Sequence, residues 1–128
     1  MSLRTPLGRV LGKGSAGHGA GHWWAQRVTS VALVPLALWF AISLATLPAL
    51  DYVTLSLWMS GSWTAVLLIL FVAVVAHHSH AGLQVVVEDY LHGKFAKYAA
   101  LLGLLFAHLL LAAAAVFAVL RVAFGSVP

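Results

Sequence analysis

Four histidines stand in otherwise apolar sequence: His77, His78 and His80 in the run His77-His78-Ser79-His80, and His108 thirty residues beyond His78. The chain has no cysteine, which excludes disulfides, thiolate-held iron-sulfur clusters, Cys zinc sites and covalent haem attachment, so any redox centre must use other ligands. An imidazole among apolar side chains has two readings. It is a neutral group hydrogen-bonded to a neighbouring element, or it is an axial ligand to haem iron, for which a neutral nitrogen donor is well suited. Helical spacing sorts the four. His78, Gly82, Val85 and Asp89 are separated by four, three and four residues and fall on one stripe. Gly82, one turn from His78 and without a side chain, would let a flat macrocycle lie against the helix. His77 and His80 point elsewhere, toward neighbours or a polar seam. His108 is a second axial ligand from the same chain or a structural hydrogen-bond former, and the latter is the simpler reading.

Two further groups carry chemistry. Glu88, Asp89 and Tyr90 close the second apolar run. A pairing with Lys94 or Lys97 across the following loop accounts for Glu88. Tyr90 could donate a hydrogen bond to a quinone carbonyl while Asp89 orients a group or relays protons, since quinone reduction consumes two protons. Arg27, at the start of the first run, pairs with a haem propionate or anchors in lipid headgroups.

These residues need elements to hold them, and composition says which kind. Of 128 residues 62% are apolar and 8% are charged, too few charges to cover the surface that a soluble domain of this size leaves exposed. Three apolar runs, Val28 to Leu47, Trp63 to about Val87 and Tyr98 to about Phe124, are each long enough to cross a bilayer core of about 30 Å. The expectation is an all-α integral membrane protein with three transmembrane helices at about 24–47, 62–90 and 96–124. A basic, Gly-rich arm over residues 1–22, carrying Arg4, Arg9 and Lys13, precedes a membrane-anchor domain over 23–128. The arm does not read as a cleaved signal, because a Gly-rich spacer separates its charges from a full-length span. Pro35 is placed to kink the first helix. The connection between the first two spans carries Leu50, Val53, Leu57 and Trp58 at helical spacing, which predicts a short surface-lying helix.

If Tyr90 marks one interface, His78 lies twelve residues deeper, about 18 Å and close to the membrane centre. Arg4, Arg9, Lys13, Arg27, Lys94 and Lys97 fall on one side and only Arg121 on the other, which places the N-terminus in the cytoplasm. Trp23 and Trp24, and Trp58 and Trp63, stand where interfacial aromatic belts form. The positive charge thus reads as topology, with lipid as a partner and no nucleic acid.

The segment from His77 to Gly93, with the pattern H-x3-G-x6-D-Y formed by His78, Gly82, Asp89 and Tyr90, resembles the second-helix signature of the small membrane-anchor D subunits of succinate dehydrogenase, respiratory complex II. Arg27 within Trp24-Ala25-Gln26-Arg27-Val28-Thr29-Ser30 matches the family's Arg before its first helix, and the three-helix plan agrees from about Gly21 onward. The resemblance implies packing with a partner anchor subunit around a haem b. His78 would supply one axial ligand, that partner, the cytochrome b anchor, would supply the other, and Arg27 and Gly82 would belong to the haem environment. Only His78 has the family's spacing to both Gly82 and Tyr90. The resemblance also implies that Tyr90, with Asp89 close by, contacts ubiquinone near the iron-sulfur subunit, and that the chain, catalysing nothing alone, anchors this subunit and a flavoprotein subunit to a bacterial inner membrane. The alternatives are the anchor of a quinol:fumarate reductase and, from another class, a small proton or metal transporter subunit using the histidines.

Overall fold

The computed structural model describes residues 16–125, with side chains described for residues 20–125. The described residues form four helices: α1 (Ala16–Thr46), α2 (Tyr52–Ser60), α3 (Ser62–Tyr90) and α4 (Lys94–Phe124). Three of them, α1, α3 and α4, are long and apolar enough to cross a membrane. In lipid a segment must satisfy its backbone polar groups internally, and a helix does so along its whole length. The second span has the expected bounds, and the third begins slightly earlier, at Lys94. The first begins at Ala16 and so takes in Gly17, Gly19 and Gly21 from the stretch expected to belong to the arm. Each Gly costs about 1 kcal/mol in a helix, but extending an existing helix avoids the cost of nucleation. The rest of the arm, including Arg4, Arg9 and Lys13, lies outside the described residues.

α1 continues through Pro35 as one helix. The proline has no N–H for the carbonyl of Val31 and imposes a local irregularity without ending the element. The connection after α1 forms the short helix expected there, capped by a residue the apolar pattern does not reveal. Asp51 accepts a 2.8 Å hydrogen bond from the backbone N–H of Thr54 and a 3.2 Å bond from its hydroxyl, the usual service of an N-cap carboxylate.

The spans form a layer with α3 in the centre. α1 packs on one side of α3 and α4 on the other, and α1 and α4 do not touch among the described residues. α2 lies against α3 and α4 at the Ser62 end of α3. A small core gathers there: Ala65, Leu68 and Val119 are buried beneath Trp39, Phe40, Trp58 and Met59. Trp58 stacks on Trp39 at 6.1 Å, and Phe40 stacks on Phe71 at 5.0 Å, separations typical of favourable ring pairs. Beyond this core, burial is sparse. Leu36, Ala65, Leu68, Ala81 and Val119 are the buried apolar residues among those described, so most apolar side chains are left to meet lipid or another subunit.

Thr54's backbone N–H, and next its hydroxyl, hold the Asp51 carboxyl below its usual pKa. A group whose folded-state pKa is lowered stabilises the fold above its unfolded value and loses that effect as the pH falls through the folded one. Protection of the first turn of α2 against hydrogen exchange should therefore persist at neutral pH and fall below about pH 4. Asp51→Ala should abolish the protection at every pH, and Asp51→Asn should keep it while removing the pH dependence. An unaltered exchange pattern in Asp51→Ala would show that the cap is dispensable.

Candidate functional site

Two helices build the environment of His78. On α1, His22, Gln26 and Thr29 are spaced four and three residues apart and share the face turned toward α3. On α3, His78 and Gly82 are one turn apart and look back at them. Thr29 Oγ1 lies 3.1 Å from His78 Nδ1. The direction of this hydrogen bond follows from counting protons. The Thr29 hydroxyl has one hydrogen and is already directed at backbone carbonyls of its own helix, Ala25 O at 2.8 Å and Gln26 O at 3.1 Å. The proton between Thr29 and His78 must then come from the imidazole, so Nδ1–H donates and Thr29 Oγ1 accepts. This assigns the tautomer with a bare lone pair on Nε2, which makes no hydrogen bond among the described residues. A metal-ligating imidazole needs this arrangement, with one nitrogen held by an acceptor and the other free.

Gly82 stands against Gln26. A Cβ placed on Gly82 would lie 3.6 Å from Gln26 Nε2, an ordinary van der Waals contact. The missing side chain thus leaves room for the α1 amide as well as for any group seated near His78. Two polar atoms on this face have no partner: His22 Nε2 and Gln26 Oε1 are buried without a hydrogen bond.

The pairing of helices also revises the depth of the site. Thr29 is six residues, about 9 Å, from the Trp23 belt, and His78 is level with Thr29. Measured from Trp23, His78 lies about a third of the way into a 30 Å core, against about halfway when measured from Tyr90. α3, with 29 residues, is about 43 Å long and longer than the hydrocarbon is thick, so Trp23 and Tyr90 do not mark the same level.

The remaining residues divide between this site and others. Arg27 is two positions from Thr29, roughly 200° around α1, and points away from the α1/α3 seam. Its guanidinium lies 5.4 Å from the ring centroid of Trp23, a cation-π distance. Within this chain it does not meet His78. His108 has both nitrogens engaged: Nδ1 donates to Leu104 O at 2.8 Å, which leaves Nε2 to accept from the Ser79 hydroxyl at 3.1 Å. His80 packs edge-on against His108 with centroids 5.5 Å apart. His77 and His80 line a cleft of about 230 Å³ between α3 and α4 with His108, away from the Thr29 side of α3. Among the described residues no three metal-ligating side chains converge on one point.

Asp89 and Tyr90 are exposed at the end of α3. The expected Glu88 ion pair takes another form. Lys97 Nζ donates to the backbone carbonyl of Glu88 at 2.7 Å, and the Glu88 carboxylate accepts from Gln84 Nε2 at 2.8 Å. The carbonyls ending α3 lack helical partners, so the ammonium serves the backbone in place of the carboxylate. Thr29, Gln26 and Ser79 have positions here that the histidine pattern did not reveal. The available signal was the need of a buried imidazole for an acceptor, which the few hydroxyls of the apolar runs can meet.

Three apolar helices long enough to cross a membrane, with an imidazole tethered by one nitrogen across a helix pair, define an all-helical integral membrane protein. Residues 1–120 match the family model of the succinate dehydrogenase/fumarate reductase transmembrane subunit. The chain is similar to the succinate dehydrogenase hydrophobic membrane anchor subunit of Paracoccus denitrificans, with 32% identity over 127 residues, covering 99% of this chain and 98% of that one. It is also similar to the subunit of that name from Rickettsia conorii, with 30% identity over 90 residues, covering 70% of this chain and 71% of the other. No solved structure matches it significantly. The chain belongs to the succinate dehydrogenase/fumarate reductase transmembrane subunit family and groups with the membrane anchor subunits of succinate dehydrogenase.

The tautomer argument has a direct check. In bilayer-embedded, haem-free chain, side-chain ¹⁵N spectra should show His78 protonated at Nδ1 and bare at Nε2. Thr29→Ser should preserve this state. Thr29→Val, which strands a buried donor at a cost of about 1–3 kcal/mol, should release the ring into a tautomer mixture. A native spectrum with the proton on Nε2 would refute the assignment.

Proposed function

We propose that this chain is one of two membrane anchors of a bacterial succinate:ubiquinone oxidoreductase, and that His78 is its axial ligand to a haem b shared with the partner anchor. The observation that carries the reading is the Thr29–His78 hydrogen bond, which leaves Nε2 as the only ring nitrogen of His78 able to bind iron. The donor set fits the group: a neutral imidazole held at Nδ1 and a glycine one turn away. His108 has both nitrogens in use, which supports the reading, implied by the family resemblance, that a second ligand would come from the partner anchor. Haem, when bound, supplies one-electron chemistry between its ferric and ferrous states.

This chain's own residues hold and orient. Thr29 fixes the His78 ring, Gly82 keeps the adjoining surface open, and Arg27, on the outer side of α1, is free to meet a propionate presented from a neighbouring subunit. Tyr90, exposed at the end of α3, donates its phenolic proton in a hydrogen bond to a ubiquinone carbonyl. Asp89 stands next to it where water can supply the protons that quinone reduction consumes. The excess of Lys and Arg on the side of Arg27, Lys94 and Lys97 over Arg121 alone supports a cytoplasmic N-terminus. The iron-sulfur and flavoprotein subunits then dock at the Tyr90 end, in the inner membrane. The names of the relatives favour succinate oxidation over fumarate reduction, and family membership leaves the transporter reading without support.

His78→Ala should remove most of the reduced-minus-oxidised haem b signal from the purified complex, and Thr29→Val should weaken haem retention about 10- to 100-fold, the usual effect of deleting the residue that supports a ligating imidazole. Full haem content with unchanged axial signals in His78→Ala would reject the ligand assignment.

Tyr90→Phe should slow ubiquinone reduction about tenfold, equivalent to about 1.4 kcal/mol of lost transition-state stabilisation, while succinate oxidation by an artificial acceptor that bypasses the quinone stays at its native rate. Equal loss in both assays would indicate a defect of assembly and count against a quinone contact.

A further inference from the structure

Among the described helices α2 alone is too short to cross a membrane, and it is apolar on both sides. Its inner side is accounted for: Trp58 and Met59 pack on Ala65, Leu68 and Val119, and Ser56 is buried. Its outer side is bare. Val53 and Leu57, one turn apart, are 58% and 59% exposed, and Leu50, just before the Asp51 cap, is 69% exposed. The hydroxyls flanking this face are already bonded within the helix and its cap, Thr54 to the Asp51 carboxylate at 3.2 Å and Ser60 to Leu57 O at 2.8 Å. Tyr52 and Trp63 stand exposed at either end. The level of the helix follows from what Trp58 touches. Its ring lies 6.1 Å from Trp39 and 6.3 Å from Phe40, about 10 Å inward of Thr46, where α1 ends. Leu68, beneath it, is about 8 Å inward of Trp63. The inner side of α2 is therefore seated below the ends of the spans.

We propose that α2 is immersed in the lipid leaflet at the Ser62 end, with Val53 and Leu57 against acyl chains and the Asp51 cap at headgroup level. The placement does not depend on whether His78 binds haem. A helix laid on the membrane with its outer side in water would carry polar residues there, whereas a helix that is apolar all round belongs in an apolar medium. Lipid fits this side better than protein. Helices associate within membranes through small residues and free hydrogen-bonding groups, and Val53 and Leu57 offer neither to another subunit or to a second copy of this chain. Asp51 is the only charged residue between positions 47 and 62, and it lies at the N-terminal end of α2. Leu57, six residues on and about 9 Å away along the helix, can enter the acyl chains while the carboxylate keeps its water, a depth usual for helices held in the membrane interface. Immersion gives α2 a task. α1 and α4 do not touch among the described residues, and α2 contacts α4 while stacking Trp58 on Trp39 of α1, so it ties the two outer spans together from the lipid side.

The absence of cysteine makes the placement measurable. Nitroxide labels should be attached to Val53→Cys and Leu57→Cys in the assembled complex in membranes, with the labelled unsubstituted complex as background. At both positions molecular oxygen should be several-fold more accessible than a water-soluble nickel chelate, and the labels should be mobile. Greater access by the chelate would put this side of α2 in water and overturn the proposal. Low access by both reagents with an immobilised label would show a protein cover, and dipolar broadening between labels a second copy; either result overturns it. A second measurement needs no substitution. A lipid-soluble diazirine, photolysed with the unsubstituted complex in membranes, should leave adducts within residues 50–57, and a water-soluble diazirine should leave none at Val53 or Leu57. Adducts of the lipid-soluble reagent on the three spans but none within residues 50–57 would overturn the immersion of α2.

Discussion

A polar group in hydrocarbon has no solvent to fall back on, and the Thr29–His78 hydrogen bond is where this chain meets that constraint most directly. Thr29 is suited to it because a hydroxyl in a membrane helix first bonds to the carbonyl one turn back. That bond uses its only proton and turns the oxygen into an acceptor. The imidazole answers by donating from Nδ1. One side-chain pair thus joins α1 to α3, satisfies a buried donor and leaves the Nε2 lone pair bare. An apolar residue in place of Thr29 would preserve packing and lose the last two.

The same constraint shapes the rest of the layer. Each ionisable group within the spans is paired internally, turned to another helix or left on a face with no apolar neighbour of this chain to cover it. His108 belongs to the first kind, bonded at both nitrogens. His80, edge-on against His108 of α4, belongs to the second, and the exposed His77 to the last. The buried core cluster sits at the Ser62 end, where Trp58 of α2 and Trp39 and Phe40 of α1 pack over Ala65 and Leu68. Nothing comparable closes the layer around His78. A chain that folds its own core at one end and leaves its reactive imidazole on an open seam at the other is organised for completion by another protein.

Most of the fold was legible in the residues, for a physical reason: spanning length and apolar composition are set by bilayer thickness, which does not depend on tertiary contacts. α3 and the short surface helix fall where the pattern puts them. The start of α1 does not, because glycine content describes local preference and a formed helix can propagate past it. The candidate site was legible as a set of residue types and spacings, with His78, Gly82, Asp89 and Tyr90 on one helix. Its partner on α1 was not, since a periodic pattern within one helix says nothing of the register between two. The depth of His78 rests on the same register, since Trp23 and Tyr90 mark different levels on helices longer than the hydrocarbon is thick.

Register, once known, alters the electrostatic problem. At a third of the core depth, as measured from Trp23, an imidazole lies close enough to the Tyr90 surface for water and headgroup dipoles to moderate the burial of charge, which the membrane centre would not allow. By the same measure about half of the path along α3 from the exposed Asp89 and Tyr90 to His78 lies outside the hydrocarbon. His22 and Gln26 lie beside those turns on α1, each with a buried atom lacking a partner. Buried polar atoms without protein partners are ordinarily satisfied by ordered water. The stretch of the α1/α3 seam between the surface and His78 is therefore polar enough to hold water, while the Phe40–Phe71 stack beyond it is apolar. Thr29 and His78 stand at the junction between the two, where the bare Nε2 lies between a polar and an apolar stretch of the seam.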